Sequence, residues 1–482
     1  MCVSTPRAAK TSTSHSASPC MPVATSYTRV FDFEKLPLDL LPCILSFVTE
    51  RRDRYSACLV NRVFRWIATP LLYSSVNAKV AKTGRLVHPS ATLLKRPDLA
   101  EAVLSVQEDR SFFSSTDHPK ALQLYVNLRA ASWFDDRLHD FDATALVKFL
   151  SILKTLPHLE QLRIRSRTEL PAAAWSELRQ FCSLKSISIW TFDGPPVGLQ
   201  GWADKMAPNL VKLELWRCAG LPPTLLLSGF MGMPHLRELG IKGVAAGFLP
   251  TLLSYLPNLI ALDTDYLPST MRTPPSQPLP SLKRLTVRLN AVRTIEWADW
   301  RFLVYLISPT DKAPSSLTEI VIDGNALHGI SIGSVHSRWV FEVAERQKRL
   351  GKISLERFSV QSVEIATQEL QHVFEAFPGI KELRCTLASK ELKTIKEILA
   401  RARHLKFLQI KFYHTMALTA EPVKPKFTIE DAREMMSGTQ LRTVIVNNAT
   451  YTGRWILLPN GETSLETTEE LDDTHAENSK HH

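Results

Sequence analysis

The sequence predicts an α/β chain: a three-helix module at the amino end, then a curved solenoid with a parallel sheet inside and helices outside, flanked by disordered tails. Three observations carry this. Residues 31–76 space their apolar side chains helically over a stretch too short to supply its own core. Between residues 156 and 446 a short pattern of the form L-x-x-L-x-L keeps returning. Its returns follow apolar segments of helical period, as ALVKFLSILKT precedes the first and PTLLSYL the fifth. At 482 residues, 44% hydrophobic and 22% charged, the chain is globular in class and long enough for two or three domains or one extended array.

Residues 1–30 are rich in Ser, Thr, Ala and Pro with no acid before Asp32, a composition that favours disorder. Pro6, Pro19 and Pro22 argue against the amphipathic helix of a transit peptide. The first helix is drawn from Asp39 as its cap, with Pro42 inside the first turn, where a missing N–H costs nothing. Leu40, Leu41, Ile44, Phe47 and Val48 then fall on one stripe. A second helix starts near Asp53 and runs through Ala57 and Leu59. A third sets Val60, Phe64 and Ile67 on one face and is expected to end at Thr69-Pro70. Three short helices in about 40 residues rarely hold together unaided, so the stretch reads as a docking module.

These residues resemble an F-box, the module by which substrate receptors of cullin-RING ubiquitin ligases dock onto the Skp adaptor. The resemblance rests on Leu36-Pro37-x-Asp39-Leu40-Leu41, Ile44-Leu45, Leu59-Val60-Asn61-Arg62-x-Phe64, Ile67-Ala68 and Pro70-Leu71-Leu72-Tyr73. Arg51, Arg52 and Arg54 make the first inter-helix loop unusually basic, and Tyr55 stands where leucine is commoner. The resemblance implies adaptor contacts from Leu36, Pro37, Leu40, Leu41, Ile44, Leu45, Phe47, Val60, Phe64 and Ile67. In the family some of these face inward and others face the adaptor, and the sequence alone does not divide them.

After an irregular linker and first repeat-like units over 77–140, the array is expected over 141–450. Its units include LPHLEQLRI (156–164), FCSLKSISI (181–189), APNLVKLEL (207–215), MPHLRELGI (233–241) and LPNLIALDT (256–264), with further ones through GTQLRTVIV (438–446). The anchors Leu159, Leu184, Leu210, Leu236, Leu259 and Leu282 lie 23 to 26 residues apart, and later spacings exceed 30. A further unit is placed at Leu355, Phe358 and Val360. The series resembles the leucine-rich repeat family, which implies one strand per unit in a curved parallel sheet. The ninth position is Cys218, Asn290 and Asn325 in three units but Arg167, Phe192, Val244 and Leu267 in others, so the usual polar ladder is incomplete. A TIM barrel is the rival, disfavoured by the shared signature at nearly fixed spacing.

If Leu162 and Ile164 point inward, alternation sends Gln161, Arg163 and Arg165 to the concave face. The last concave position gives a row: Arg165, Trp190, Trp216, Lys242, Asp265, Arg288, Asp323, Thr386, Lys411 and Asn447. Strands about 4.8 Å apart put Trp190 beside Trp216, between Arg165 and Lys242. Tryptophan beside arginine is the composition of an interface hot spot, so Arg163, Arg165, Trp190, Trp216 and Lys242 are the candidate cargo residues. The alternative is that each tryptophan folds over its own loop.

No P-loop, G-x-S-x-G, H-E-x-x-H or glycine-rich fingerprint is present, and His158, His235 and His404 occupy a repeat position before the anchor rather than a ligand cluster. Seven scattered cysteines without C-x-x-C read as reduced thiols. No cofactor is expected, and no apolar run reaches the roughly 20 residues of a membrane span, which points to cytosol or nucleus. Residues 460–482 are Thr-rich and acidic and are expected to be a solvated tail. The net charge of +10 raises nucleic-acid binding as an alternative, but acids interleave with the basic residues. The sequence is therefore expected to encode a non-catalytic substrate receptor of an SCF-type ligase, bound through the adaptor to a cullin and holding a protein cargo. The other alternative is a binding scaffold without a ligase role.

Overall fold

The computed structural model describes residues 37–77, 79–80, 86–109, 113, 117–135, 143–191, 206–218, 220–244, 248–266, 280–289, 316–324, 342, 345, 355–387, 392–412 and 427–471. The tail over 1–30, Leu36 and residues 472–482 lie outside them. The chain forms two compact units that meet between Thr69 and Pro70.

In the first unit a 3-10 turn, Leu38–Leu40, leads into α1 (Leu41–Ser46), then α2 (Arg51–Cys58) and α3 (Arg62–Tyr73). Pro42 sits in the first turn of α1, as its position predicts. Asp39 is not a cap; it lies within the 3-10 turn. Asn61 does cap α3, its Oδ1 accepting from the Phe64 N–H at 2.9 Å. Contrary to expectation, Pro70 does not end α3, which continues to Tyr73. The carbonyl deprived of its helical bond belongs to residue 66, four back, and Trp66 stands at the surface. Among the described residues of this unit, Leu41, Leu45, Ile67 and Ala68 are buried.

The second unit is built on a 16-stranded sheet whose strands follow chain order. It starts with β1 (Ser75–Asn77), while β2 (Lys79–Val80) and β3 (Leu86–Val87) pair separately. It continues through β4 (Ser105–Asp109), β5 (Ala130–Asp135), β6 (Gln161–Ser166), β7 (Ser186–Thr191), β8 (Lys212–Trp216) and β9 (Glu238–Ile241). Then come β10 (Ala261–Tyr266), β11 (Arg284–Leu289), β12 (Glu319–Gly324), β13 (Arg357–Ile365), β14 (Glu382–Leu387), β15 (Phe407–Phe412) and β16 (Thr443–Val446). All these neighbours are parallel; β17 (Ala449–Leu457) and β18 (Thr463–Leu471) close the sheet as an antiparallel hairpin. The strand order is linear, so the sheet does not close as a TIM barrel would. It is a leucine-rich-repeat-like solenoid.

Each unit buries the anchor and the residues three and five further on. Leu159, Leu162 and Ile164 do so in one unit, Leu210, Leu213 and Leu215 in another, and Leu355, Phe358 and Val360 in the unit placed between long insertions. The linker region over 77–140 is more regular than expected: Val103, Val106 and Glu108, then Leu128, Ala131 and Trp133, obey the same spacing. A backbone motif repeats with them. The Glu160 carbonyl accepts from both Lys185 and Ser186 N–H, that of Lys185 from Val211 and Lys212, and so on to Lys406 with Arg442 and Thr443. Before the strand, the anchor's N–H closes a turn, as Leu210 to Ala207 and Leu259 to Leu256 do; proline suits the second residue of such a turn.

The acidic tail expected over 460–482 is corrected for residues 463–471, which pair along the whole of β17. Threonines at 463, 467 and 468 favour a strand, and Leu465 and Thr467 alternate inward where acidic composition alone suggested solvent.

Leu213→Ala removes a fully buried side chain shared by three strands. The expected cost is about 2–5 kcal/mol, read as a lowered urea midpoint. Gln161→Ala on the exposed face should move that midpoint by no more than about 0.5 kcal/mol equivalent.

Candidate functional site

The first unit separates the apolar residues of the docking stretch into two sets. Leu41, Leu45 and Ile67 are the inward-facing members of the set that the sequence left undivided, and Phe64 is half-buried. Pro37, Leu40, Ile44, Phe47 and Val60 are exposed, Phe47 at 84%. With them stand Leu38, Tyr55, Leu59, Val63 and Trp66, which are not among the implied adaptor contacts. Leu38, Pro42, Val63 and Trp66 line one groove, together with Asp39 and Arg62. Val63 and Trp66 have a signal in the spacing: Val63 lies one helical turn before Ile67 and Trp66 is next to it, so both border the buried position and line the groove with it.

On the second unit, two lines of side chains stand out on the sheet face away from the buried rows. In the first, charges alternate across strands: Lys212 reaches Glu238 at 3.5 Å, Arg284 reaches Glu238 at 2.5 Å, and Arg357 bridges Glu319 at 3.2 Å and Glu382 at 2.6 Å. Such pairs are worth roughly 0.2–1 kcal/mol each, but together they neutralise the basic residues of this line. In the second line Trp190 and Trp216 are register neighbours, as their spacing predicts. Arg165 lies over Trp190 at 4.6 Å from the ring centre; Lys242 and Arg288 lie over Trp216 at 3.9 and 5.1 Å. Both tryptophans are half-buried and Arg163 is exposed. The tryptophans are thus held by cations from other units of the array.

Arg288 also clasps Asp263 at 2.8 Å and reaches Asp323 at 3.3 Å. Burial pushes the Asp265 carboxyl up to about 6, against the pull of Lys242 and a hydrogen bond from the Gly243 N–H at 2.9 Å. Burial and the Arg288 charge push the Lys242 ammonium down.

A third cluster lies in the first repeats. Glu108 occupies a position whose register partner is Trp133 and then Ile164, an otherwise apolar row, and it is 1% exposed. His118 Nδ1 lies 3.3 Å and His88 Nε2 3.4 Å from its two oxygens, and all three donor atoms fall within 4.8 Å of one another. Two histidines and a carboxylate are a metal-ligand set in kind. The Ser90 N–H, however, donates to His88 Nδ1 at 3.2 Å, which places the ring proton on Nε2, the nitrogen facing the carboxylate. The cluster therefore fits a proton-holding clamp on a buried carboxylate. Burial raises the Glu108 pKa, and the hydrogen bonds from His118 and His88 outweigh it, leaving the carboxyl below its ordinary value.

Units are also tied at a place the sequence reading passed over. Asn127, Asn209 and Asn258, each just before an anchor leucine, donate from Nδ2 to the carbonyls of Glu101, Cys182 and Pro234 of the preceding unit at 2.8–2.9 Å. They take up part of the role left open at the ninth position.

No protein-family model matches this chain, and no curated protein matches it. Among solved structures the chain is similar to the leucine-rich repeat-containing protein LegL7 from Legionella pneumophila, at 11% identity and a TM-score of 0.37, covering 65% of this chain and 93% of that one. It is also similar to a structure of the Rad7 and Elc1 complex in yeast, at 14% identity and a TM-score of 0.43, covering 82% of this chain and 97% of that chain.

Glu108→Gln is expected to cost about 1–3 kcal/mol at neutral pH. Because the folded pKa is depressed, Glu108 stabilises the fold above the ordinary glutamate range, and that contribution is lost as pH falls through the folded value. The variant should therefore show a flatter acid limb than the parent when urea midpoints are followed downward from neutral pH.

Proposed function

We propose that this chain is the substrate-recognition subunit of an SCF-type cullin-RING ubiquitin ligase. An F-box over 31–76 docks on the Skp adaptor, and through it a cullin, while the repeat array holds a protein cargo. The observation that carries this reading is the division within the first unit: a core of Leu41, Leu45, Ile67 and Ala68 beneath exposed Leu38, Leu40, Ile44, Phe47, Leu59, Val60 and Trp66. So many large apolar groups on so small a unit call for a partner surface. The chain itself performs no chemistry in this reading; it supplies proximity and orientation to a recruited conjugating enzyme. Arg163, Arg165, Trp190, Trp216 and Lys242 are the surface offered to cargo.

The nucleic-acid alternative is disfavoured by the pairing of Lys212, Arg284, Arg288 and Arg357 with carboxylates on the exposed face. A scaffold without a ligase role is separated from a receptor by cargo turnover, which in a receptor stops when the module is disrupted.

Co-expression with the Skp adaptor is expected to yield a stoichiometric complex with the full chain. Leu40→Ala/Ile44→Ala/Phe47→Ala, which leaves the core untouched, should abolish co-purification while shifting the urea midpoint little. An intact chain that ignores the adaptor, or a triple variant that still binds it, overturns the reading. Trp190→Ala/Trp216→Ala should weaken cargo capture about tenfold or more with adaptor binding intact.

A further inference from the structure

The carboxyl end of the sheet presents a different kind of surface. β18 is the last strand of the sheet, and among the described residues nothing pairs with its outer side. The Leu458 N–H donates to the Glu462 carbonyl at 2.7 Å across Pro459-Asn460-Gly461, with Gly461 at a φ of 84°. From that closing bond the antiparallel alternation makes residues 464, 466, 468 and 470 the ones bonded to β17. The Gly453 N–H agrees, donating to Arg442 on the other side. The amides and carbonyls of Thr463, Leu465, Thr467 and Glu469 therefore point to the outer edge.

Such edges are ordinarily blunted by proline, lysine or a bulge. Here the nine residues of β18 contain no proline or lysine, and their pairing with β17 is unbroken in register. What the edge does carry is acid. Residues 449–471 hold four glutamates, Glu462, Glu466, Glu469 and Glu470, against one basic residue, Arg454, in a chain whose net charge is +10. Glu466 and Glu470 are exposed on one face of the hairpin. On the other face Trp455 and Leu457 are exposed, Leu457 at 73%, beside the half-buried Leu465. A second copy of β18 laid along the first would bring glutamate against glutamate, which disfavours self-pairing.

We propose that the outer edge of β18 accepts an extended segment of another protein in which lysine or arginine alternates with apolar residues. Its backbone continues the sheet, its basic side chains lie beside Glu466 and Glu470, and its apolar side chains extend the Leu465 and Trp455 face. This is strand addition: hydrogen bonds along the edge supply affinity and the alternating side chains supply selection. The surface is separate from the adaptor module and does not depend on the receptor reading.

The test is fluorescence anisotropy on the full chain with a labelled peptide of four Lys-Val repeats at about 150 mM salt. Two controls accompany it: the same peptide with its two central valines replaced by proline, which keeps the charge but cannot pair, and a Glu-Val peptide. Expected are micromolar binding of the Lys-Val peptide, at least about tenfold weaker binding of both controls and of the Glu466→Lys/Glu470→Lys chain, and slowed amide exchange at 463, 465, 467 and 469. Unchanged urea midpoints in the variant confirm that its fold is intact. Equal binding of the proline peptide, unchanged binding by the variant, or no binding overturns the proposal. So does an edge already protected from exchange without peptide, or one that pairs two copies of the chain in sedimentation equilibrium.

Discussion

The structure of the array depends on one constraint: no repeat can bury its own apolar triplet. Leu159, Leu162 and Ile164 are shielded only because Leu184, Ile187 and Ile189 stack beside them and a helix closes over the row. The backbone enforces that stacking. A single carbonyl in each unit accepts two consecutive N–H groups from the next, so the start of every strand is fixed relative to its predecessor. Insertions that lengthen the later spacings leave this register intact, since β11, β12 and β13 remain in step across them. Variation is thereby confined to loops, and the exposed face keeps its order.

That order decides what the exposed face offers a partner. Its first line is self-neutralising, each cation reaching across to a carboxylate on another strand, so a partner gains little from it. The second line is different, because Trp190 and Trp216 are clamped by Arg165, Lys242 and Arg288 and present a pre-ordered, partly desolvated ridge. Ordering before binding reduces the entropy lost on association. The first unit follows the opposite logic: its small core leaves its largest apolar groups outside.

Much of this was legible in the sequence because two periods dominate it. The period of two along each strand fixed which residues point inward, and the row from Arg165 to Lys242 followed from it. The unit at Leu355, Phe358 and Val360 was readable for the same reason. What escaped were features that depend on a third dimension. Spacing placed Leu41 and Ile44 on one stripe but could not say that one is buried and the other 45% exposed, since that depends on how α3 lies over α1. Pro70 signals a helix end, yet only the exposure of Trp66 shows that the lost bond is tolerable. Residues 463–471 looked like a solvated tail because composition outweighed a short alternation. The meeting of His88 and His118 at Glu108 joins residues up to 30 positions apart through a fold that periodicity does not specify in detail. The asparagines before the anchor leucines had a visible signal in their shared position, but a histidine at the same place in other units obscured it.

The central claim is that docking and recognition are divided between two surfaces, the helical module and the repeat face. Hydrogen exchange followed by mass spectrometry on the full chain, with and without the Skp adaptor, tests that division most directly. The account predicts slowed exchange across residues 38–66 and unchanged exchange in the strands from Gln161 to Val446. Slowed exchange in those strands with none in the module would contradict it, since the array would then be the adaptor's surface.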